Sequence, residues 1–409
     1  MNNTNRKIKI TAQEQFKELK RGCFELIPED EFLSRLQKSF DEDRPLKIKF
    51  GADPSRPDIH LGHTVVLNKL RLLQDFGHEV YFLIGDFTAR IGDPTGKSKQ
   101  RPMLTTEEII NNAKTYQDQI AKVLDVSKLK IVFNNDWLST LTSMEIVKLV
   151  SNVTVSALLH RDDFAKRHNA QEAIYLHEFL YPIFQGYDSV ELKCDMELGG
   201  SDQTFNLMMG RELQKAFKQT PQVLLTMPIL EGLDGVQKMS KSLDNYISIN
   251  ENATDMFGKV MSISDEMMIK YYELLSRLPH DEIMNRVKGI KEGSYHPMEA
   301  KKQLAVELTN LYYQNQGQAE RQKFEDRFSQ NKIPDDIQTL TFTAQKLDLL
   351  PILIELKFVE SNGEARRLFK QNAIKINGKN LAELSYDLKA NEEIILKVGK
   401  LRMCKILGK

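Results

Sequence analysis

The chain has 409 residues, enough for two or three domains with ample core, and its 57 Lys/Arg balance its 57 Asp/Glu, so the overall charge does not announce a nucleic-acid binder. Cys23, Cys194 and Cys404 are widely spaced and lack CxxC or CxxH partners, which excludes a zinc site or a disulfide framework and reads as reduced thiols in a cytosolic protein. There is no signal-peptide h-region and no run near the ~20 apolar residues of a membrane span, so a soluble cytoplasmic protein is expected, with no membrane partner.

Residues 1–40 are polar and read as helical, with Phe16, Leu19, Phe24, Phe32 and Leu36 as docking positions. Leu46, Ile48 and Phe50 then alternate at the period of a strand, and a turn-rich loop follows, Gly51 to Pro57. Val66, Leu70 and Leu73 form a helical stripe, with Asp58 as a plausible N-cap. His60, Gly62 and His63 fall in that helix's first turn, where free backbone N–H groups and the helix dipole favour a polyphosphate. Gly77 stops the helix and Val80–Ile84 reads as the next strand. Strand, helix, strand predicts a parallel sheet whose ligands sit beyond the strands' carboxyl ends, where the His60–His63 helix begins.

Gly92-Asp93-Pro94-Thr95-Gly96-Lys97-Ser98 tempts a P-loop reading, but only three residues separate its glycines where that motif has four. Residues 105–180 are mostly helical in pattern and interrupt the sheet. In Tyr181–Asp188, Tyr181, Gln185 and Asp188 lie at i, i+4 and i+7, on one helix face. A solvated stripe is the plainer reading, yet the apolar neighbours Phe179, Leu180, Ile183 and Phe184 suggest a packed helix whose polar stripe lines a pocket. Leu198–Gln203 follows; its paired glycines let backbone approach a ligand, and Asp202 suits a ribose diol or, more generically, an N-cap. Val223–Met227 is the next apolar segment, and a glycine-bearing turn leads into Lys238-Met239-Ser240-Lys241-Ser242. Two lysines in one loop can close over a triphosphate as charge develops.

Residues 250–330 are helical in pattern, and 331–336 read as a linker. From Gln345 onward 13 Lys/Arg face 8 Asp/Glu, an excess of five that suits RNA or an ordinary solvated surface. There Ser361-Asn362-Gly363-Glu364 reads as a capping box for a helix exposing Arg366, Arg367 and Lys370. A strand at Ile374–Ile376, a turn at Asn377-Gly378 and a strand at Ile394–Val398 complete a small module.

HLGH and KMSKS, about 180 residues apart, resemble the two signatures of class I aminoacyl-transfer-RNA synthetases, and the intervening sequence resembles the bacterial-type tyrosyl enzymes over nearly the whole chain. The resemblance implies an α/β fold: a Rossmann-like parallel-sheet catalytic domain over 1–248, interrupted by a connective helical insertion at 105–190 that usually carries a homodimer interface. An α-helical anticodon-stem-binding domain (249–335) and a small α+β, αL-type RNA-binding domain (345–409) would follow. It implies ATP-dependent attachment of L-tyrosine to its transfer RNA through an adenylate, with Mg2+ accompanying the nucleotide and no dedicated metal cage. It assigns His60, His63, Lys238 and Lys241 to catalysis on the phosphates, and Asp53, Gly62, Gly200, Asp202 and Met239 to the rest of the ATP site. Asp93, Tyr181 and Gln185 would hold the tyrosine ammonium, Gln203 would face its carboxylate and Asp188 would accept from its phenol. Lys97 and Arg101 would lie near the phosphates or the RNA end, and Arg366, Arg367 and Lys370 on the RNA backbone.

One departure stands out. The better-known branch has a second phenol partner, a tyrosine, two residues before Gly51, and this chain has Lys49 there. Two other readings stay open: a sibling charging tryptophan, and a synthetase-derived RNA-binding or regulatory protein with a silent site.

Overall fold

The computed structural model describes residues 7–54, 59–95, 105–329, 337–343, 345–399 and 402–409. The expected Asp58 cap, the 331–336 linker, Lys97 and Arg101 lie outside them. Two compact units result, Met1–Arg321 and Gln322–Lys409.

The first unit opens with α1 (Ala12–Lys20), β1 (Glu25–Ile27) and α2 (Glu29–Asp41). Leu19, Phe32 and Leu36 are fully buried, as docking positions should be. Phe24 is not: it is exposed in the turn before β1, a strand that the polar composition concealed, and only its backbone N–H engages the sheet, donating to the Thr226 carbonyl at 2.7 Å. Next come β2 (Lys47–Ala52), α3 (Leu61–Asp75) and β3 (Glu79–Ile84), the expected parallel βαβ unit. The buried stripe of α3 includes Val66, Leu70 and Leu73. Gly77 ends the helix with a φ of 96°, open to glycine at no steric cost.

The stretch 105–190, expected as a helical insertion, also carries a strand. After α4 (Thr106–Ile120), β4 (Leu129–Phe133) joins the sheet edge parallel to β3. Thus α4 is a crossover, and the sheet is left only afterwards, for α5 (Asn135–Leu138), α6 (Ser143–Val150), α7 (Val155–Leu159) and α8 (Asp162–Asn169). A five-residue strand between two helical patterns is too short for periodicity to separate.

The chain returns through α9 (Leu176–Leu192), β5 (Met196–Gly200), α10 (Thr204–Ala216) and β6 (Val223–Met227). Sheet order is β1-β6-β5-β2-β3-β4, parallel except for β1. Strands β2, β3 and β4 step one way and β5 and β6 the other, so the order reverses between β2 and β5. That is where an open parallel sheet offers a crevice. Helices α11 (Ala253–Ser262), α12 (Asp265–Leu275), α13 (His280–Glu292) and α14 (Pro297–Tyr312) follow in the same unit, and α15 (Gly317–Ser329) straddles the boundary. Tyr272, fully buried on α12, donates to the Ala300 carbonyl of α14 at 2.6 Å.

In the second unit, β7 (Thr339–Phe342), β8 (Gln345–Asp348), α16 (Leu349–Glu355), α17 (Asn362–Lys370), β9 (Ile374–Ile376), β10 (Lys379–Asn380), β11 (Ser385–Leu388), β12 (Glu393–Val398) and β13 (Arg402–Gly408) enclose a core including Leu353, Leu396 and Ile406. Ser361 caps α17, accepting from the Glu364 N–H at 3.2 Å. The return bond of a capping box is displaced by one residue: the Glu364 carboxylate accepts from Glu360, not Ser361. Asn377 (φ 50°) and Gly378 (φ 77°) turn β9 back onto β10, and β12 pairs with the other side of β9.

Candidate active site

Strands β2 and β5 pair only through Ile48–Met196 and Lys49–Glu197. Beyond that, Phe50, Gly51 and Ala52 pair with β3, while Leu198, Gly199 and Gly200 pair with β6. Between the parted ends lies a cavity of about 450 Å³. Its lining brings together Asp53, His60, Gly62, His63, Asp93, Tyr181, Gln185, Asp188, Gly200, Asp202, Gln203, Lys238 and Met239. Residues far apart in sequence thus share one wall, because the segments after β2, β3, β5 and β6 leave the carboxyl edge of the same sheet and α9 packs beside them.

His60 itself occupies the N-cap of α3, and its extended backbone N–H donates to His63 Nδ1 at 3.2 Å. The rings lie 3.9 Å apart. Burial, then the neighbouring ring, lowers the His60 pKa to about 3, and His63, whose ring opens into the cavity, is drawn down in the same direction by the protein around it. Both are therefore neutral at pH 7. His60 Nδ1 is buried without a partner among the described residues. A side chain at Gly62 would press on that ring, since an added Cβ would stand 3.0 Å from it; one at Gly200 would stand 2.5 Å from Asp202 Oδ1. Asp202 opens into the cavity and does not cap α10, whose N-cap is Gln203.

The lysine loop is a braced hairpin. Met239 is buried, its N–H donates to the Leu230 carbonyl at 2.8 Å, and its Sδ accepts from the Gly62 N–H at 3.3 Å. Asn245 straps the hairpin: its Oδ1 accepts from Ser240 N–H, and its Nδ2 donates to Asp234 and to the Lys238 carbonyl. From α12, Tyr271 donates to the Glu231 carbonyl and Lys270 pairs with the Glu231 carboxylate. Lys238 is exposed over the cavity; Lys241 is exposed in the turn Lys241–Leu243 and is not among the lining residues.

At the opposite end the lining is acidic. Tyr181 donates to Asp53 Oδ2 at 2.9 Å, and Thr88 to Oδ1 at 2.8 Å. Burial, then Asp53, holds the Tyr181 phenol well above its usual range, so it stays a neutral donor. Asp93 accepts from Gln203 at 2.9 Å and from the Thr95 N–H and hydroxyl, with the buried Arg161 guanidinium 3.5 Å away. Gln185 Oε1 is buried and accepts from nothing among the described residues. An orphaned acceptor beside carboxylates suits a cationic donor such as an ammonium.

Asp188 is 1% exposed. Trp137 Nε1–H donates to its Oδ1 at 2.8 Å and Asn134 Nδ2–H to its Oδ2 at 3.3 Å. Burial pushes its carboxyl up to about 7, against the pull of Lys49 and those two donors. Sequence reading missed Trp137, Asn134, Thr88 and Arg161. Trp137 was the one with a signal, being the single tryptophan of the chain, whose N–H needs a partner when covered. Lys49 does not line the cavity; it is fully buried behind it. Among the described residues, no group of three or more His, Cys, Asp or Glu is placed to hold a metal ion, and no helix is long and apolar enough to cross a membrane.

Fold and crevice together define the class, a Rossmann-type catalytic core that binds its ligand at the switch point. A model of the tRNA synthetases of class I (W and Y) matches residues 41–329, and the chain belongs to that family. A second model, the Tyrosine–tRNA ligase SYY-like C-terminal domain, matches residues 329–403. The Tyrosine–tRNA ligase of Geobacter sulfurreducens is 49% identical over 97% of this chain and 99% of its own length, and that of Coxiella burnetii is likewise 49% identical, over the same shares. Solved structures share the fold. A C-terminally truncated mitochondrial tyrosyl-tRNA synthetase of Aspergillus nidulans superposes with a TM-score of 0.64 at 20% identity, covering 78% of this chain and 95% of that one. The Archaeoglobus fulgidus tyrosyl-tRNA synthetase complexed with L-tyrosine gives 0.60 at 24% identity, covering 76% and 99%.

Asp188 offers a direct check. The folded chain keeps its proton at pH values where the unfolded chain has released it, so this group's contribution to stability falls as pH rises from the ordinary carboxylate range to about 7. In carboxyl-labelled protein its NMR titration is expected to have a midpoint near pH 7. Trp137→Phe, which removes a donor to the charged form, should move that midpoint upward. A midpoint in the ordinary aspartate range would contradict the burial assigned to it.

Proposed function

We propose that this chain joins L-tyrosine to its transfer RNA in two steps driven by ATP. In the first, a tyrosine carboxylate oxygen attacks the α-phosphorus, the bond to pyrophosphate breaks, and tyrosyl adenylate remains. In the second, a ribose hydroxyl at the RNA 3′ end attacks the tyrosyl carbonyl and AMP leaves. Neither step needs a side-chain nucleophile, so positioning and charge do the work. Curated relatives of nearly full length support the reaction. The observation that carries the choice of tyrosine is Asp188, a carboxylate buried in the cavity wall and oriented by two N–H donors. Tryptophan has no hydroxyl to give it.

His60 and His63 enter as neutral imidazoles that hydrogen-bond phosphate oxygens, and an arriving anion draws their pKa values back up. Lys238 adds charge from the hairpin, with Lys241 as the second cation of the same loop. Asp53 and Asp202 serve the nucleotide, with Gly62 and Gly200 leaving it room and Met239 bordering the same space. Asp93, Tyr181, Gln185 and Gln203 hold the amino acid's ammonium and carboxylate. Mg2+ would come with the nucleotide and offset phosphate charge. Lys97 and Arg101 belong, on this reading, to the phosphates or the RNA end. In the second unit Arg366, Arg367 and Lys370 are exposed on α17 and would meet RNA backbone. The exposed apolar Met144, Val147, Val155 and Leu176 support a homodimer formed through the insertion.

Four outcomes test this. Amino-acid-dependent exchange of pyrophosphate into ATP should run with tyrosine far ahead of phenylalanine and tryptophan. Asp188→Ala should cut the tyrosine-to-phenylalanine ratio of kcat/KM by about fivefold or more, since a stranded buried acceptor costs ~1–3 kcal/mol. Preference for tryptophan in the unaltered enzyme, or an untouched ratio in the variant, would sink the assignment. Removing residues 330–409 should spare exchange but depress charging of RNA and flatten its salt dependence; undiminished charging would take RNA binding away from the second unit. Sedimentation should return twice the chain mass of 47.1 kDa, and a monomer at working concentrations would rule out the dimer.

A further inference from the structure

Lys49 is 0% exposed, and its ammonium sits among three oxygens. Nζ donates to the Gln185 carbonyl at 2.8 Å and to Ser189 Oγ at 2.8 Å, and it stands 2.9 Å from Glu197 Oε1. Glu197 Oε2 in turn accepts from Ser189 Oγ at 3.0 Å and from Gln222 Nε2. Lys49 and Glu197 are register partners across β2 and β5, so the sheet itself sets them side by side. The other contacts of Lys49 are on α9, at Gln185 and Ser189, one helical turn apart and on either side of Asp188 in sequence.

A buried ion pair is a weak source of stability, because desolvating two charges consumes most of what their attraction returns. Its position is more informative. The charged and titratable groups around Asp188 are few. Lys49 comes from β2, with Asp53 reached only through Thr88 and Asn134, and Glu197 comes from β5. From α5 and the residue before it come the uncharged donors Trp137 and Asn134. On α9 itself Tyr181 is a neutral phenol, and the Cys194 thiol just after the helix is pushed up to about 12 by burial. Among the described residues, Lys49 is thus the single cation acting on Asp188. Burial opposes its charge, but Glu197 and Asp188 outweigh that and keep it an ammonium.

We propose that the Lys49–Glu197 pair is a positioning device for amino-acid selection: Lys49 fixes α9 through Gln185 and Ser189 and holds Asp188 as its carboxylate, and Glu197 anchors Lys49. This rests on Asp188 reading the phenol hydroxyl. It also accounts for the absence of a second phenol contact at position 49, since the residue there acts on the acceptor from behind instead of on the substrate.

The test is the tyrosine-to-phenylalanine ratio of kcat/KM in pyrophosphate exchange, followed from pH 5.5 to 9. Free-enzyme ionisations appear in kcat/KM, and phenylalanine cancels those unrelated to the hydroxyl. In the unaltered enzyme the ratio should rise with pH through the Asp188 midpoint. Lys49→Met combined with Glu197→Gln removes both charges at similar volume. It should move the midpoint up by about one unit or more, lowering the ratio about fivefold or more at pH 7. Glu197→Gln alone leaves the cation and should move the midpoint down. Opposite movements support the proposal; a midpoint unmoved in whichever variant folds, or moved the same way in both, overturns it. Failure of the parent reading looks different, since the unaltered enzyme would then show no tyrosine preference at any pH.

Discussion

The site depends on how briefly β2 and β5 touch. Two residue pairs hold them together, Ile48 with Met196 and Lys49 with Glu197, and then each strand turns to its other neighbour. Had the pairing run on by three residues, the space between Phe50–Ala52 and Leu198–Gly200 would be closed by ladder hydrogen bonds. Because it stops, the carboxyl ends of two strands, the start of α3 and the stripe of α9 face one volume. The pair that ends the contact is also the buried ion pair, so the crevice floor and its fixed charges arise from the same register.

From that floor the crevice divides by chemistry. Around the start of α3 are uncharged imidazoles, open backbone and the exposed Lys238, suited to oxygen-rich anions. Around α9 and the end of β2 are Asp53, Asp93 and Asp188, each carboxylate already oriented by hydroxyl, amide or indole donors. Pre-oriented acceptors lose little freedom when a ligand arrives, which is how such a site discriminates without moving far. The two signature segments are joined physically as well as by role. Leu61 N–H donates to the Ile247 carbonyl, and Gly62 N–H to Met239 Sδ, so the hairpin is seated on the helix it serves.

Much of this was legible locally. Alternation at Leu46–Phe50, the Val66–Leu70–Leu73 stripe, Gly77 and the Asn377-Gly378 turn each reflect a constraint acting within a few residues, and the structure follows them. Failures came where a short element owes its form to a distant partner. β1 is three residues long and exists because β6 offers it an edge. β4 sits between helical patterns and is a strand because β3 pairs with it. Asp202 resembles a cap by position, yet the preceding turn carries the chain on to Gln203 before α10 begins.

The sequence by itself determined the helix that starts at His60, the polar stripe of α9, the lysine hairpin and the basic face of α17. Each is written in residues that are neighbours along the chain, so spacing alone exposes it. Only the tertiary structure decided what Lys49 does, which donors orient Asp188 and which acceptor is left open at Gln185. Those outcomes depend on contacts spanning from 51 to 148 positions, from Trp137 to Asp188 and from Lys49 to Glu197. A side chain's partner at that separation is set by strand order and register, which no local pattern encodes.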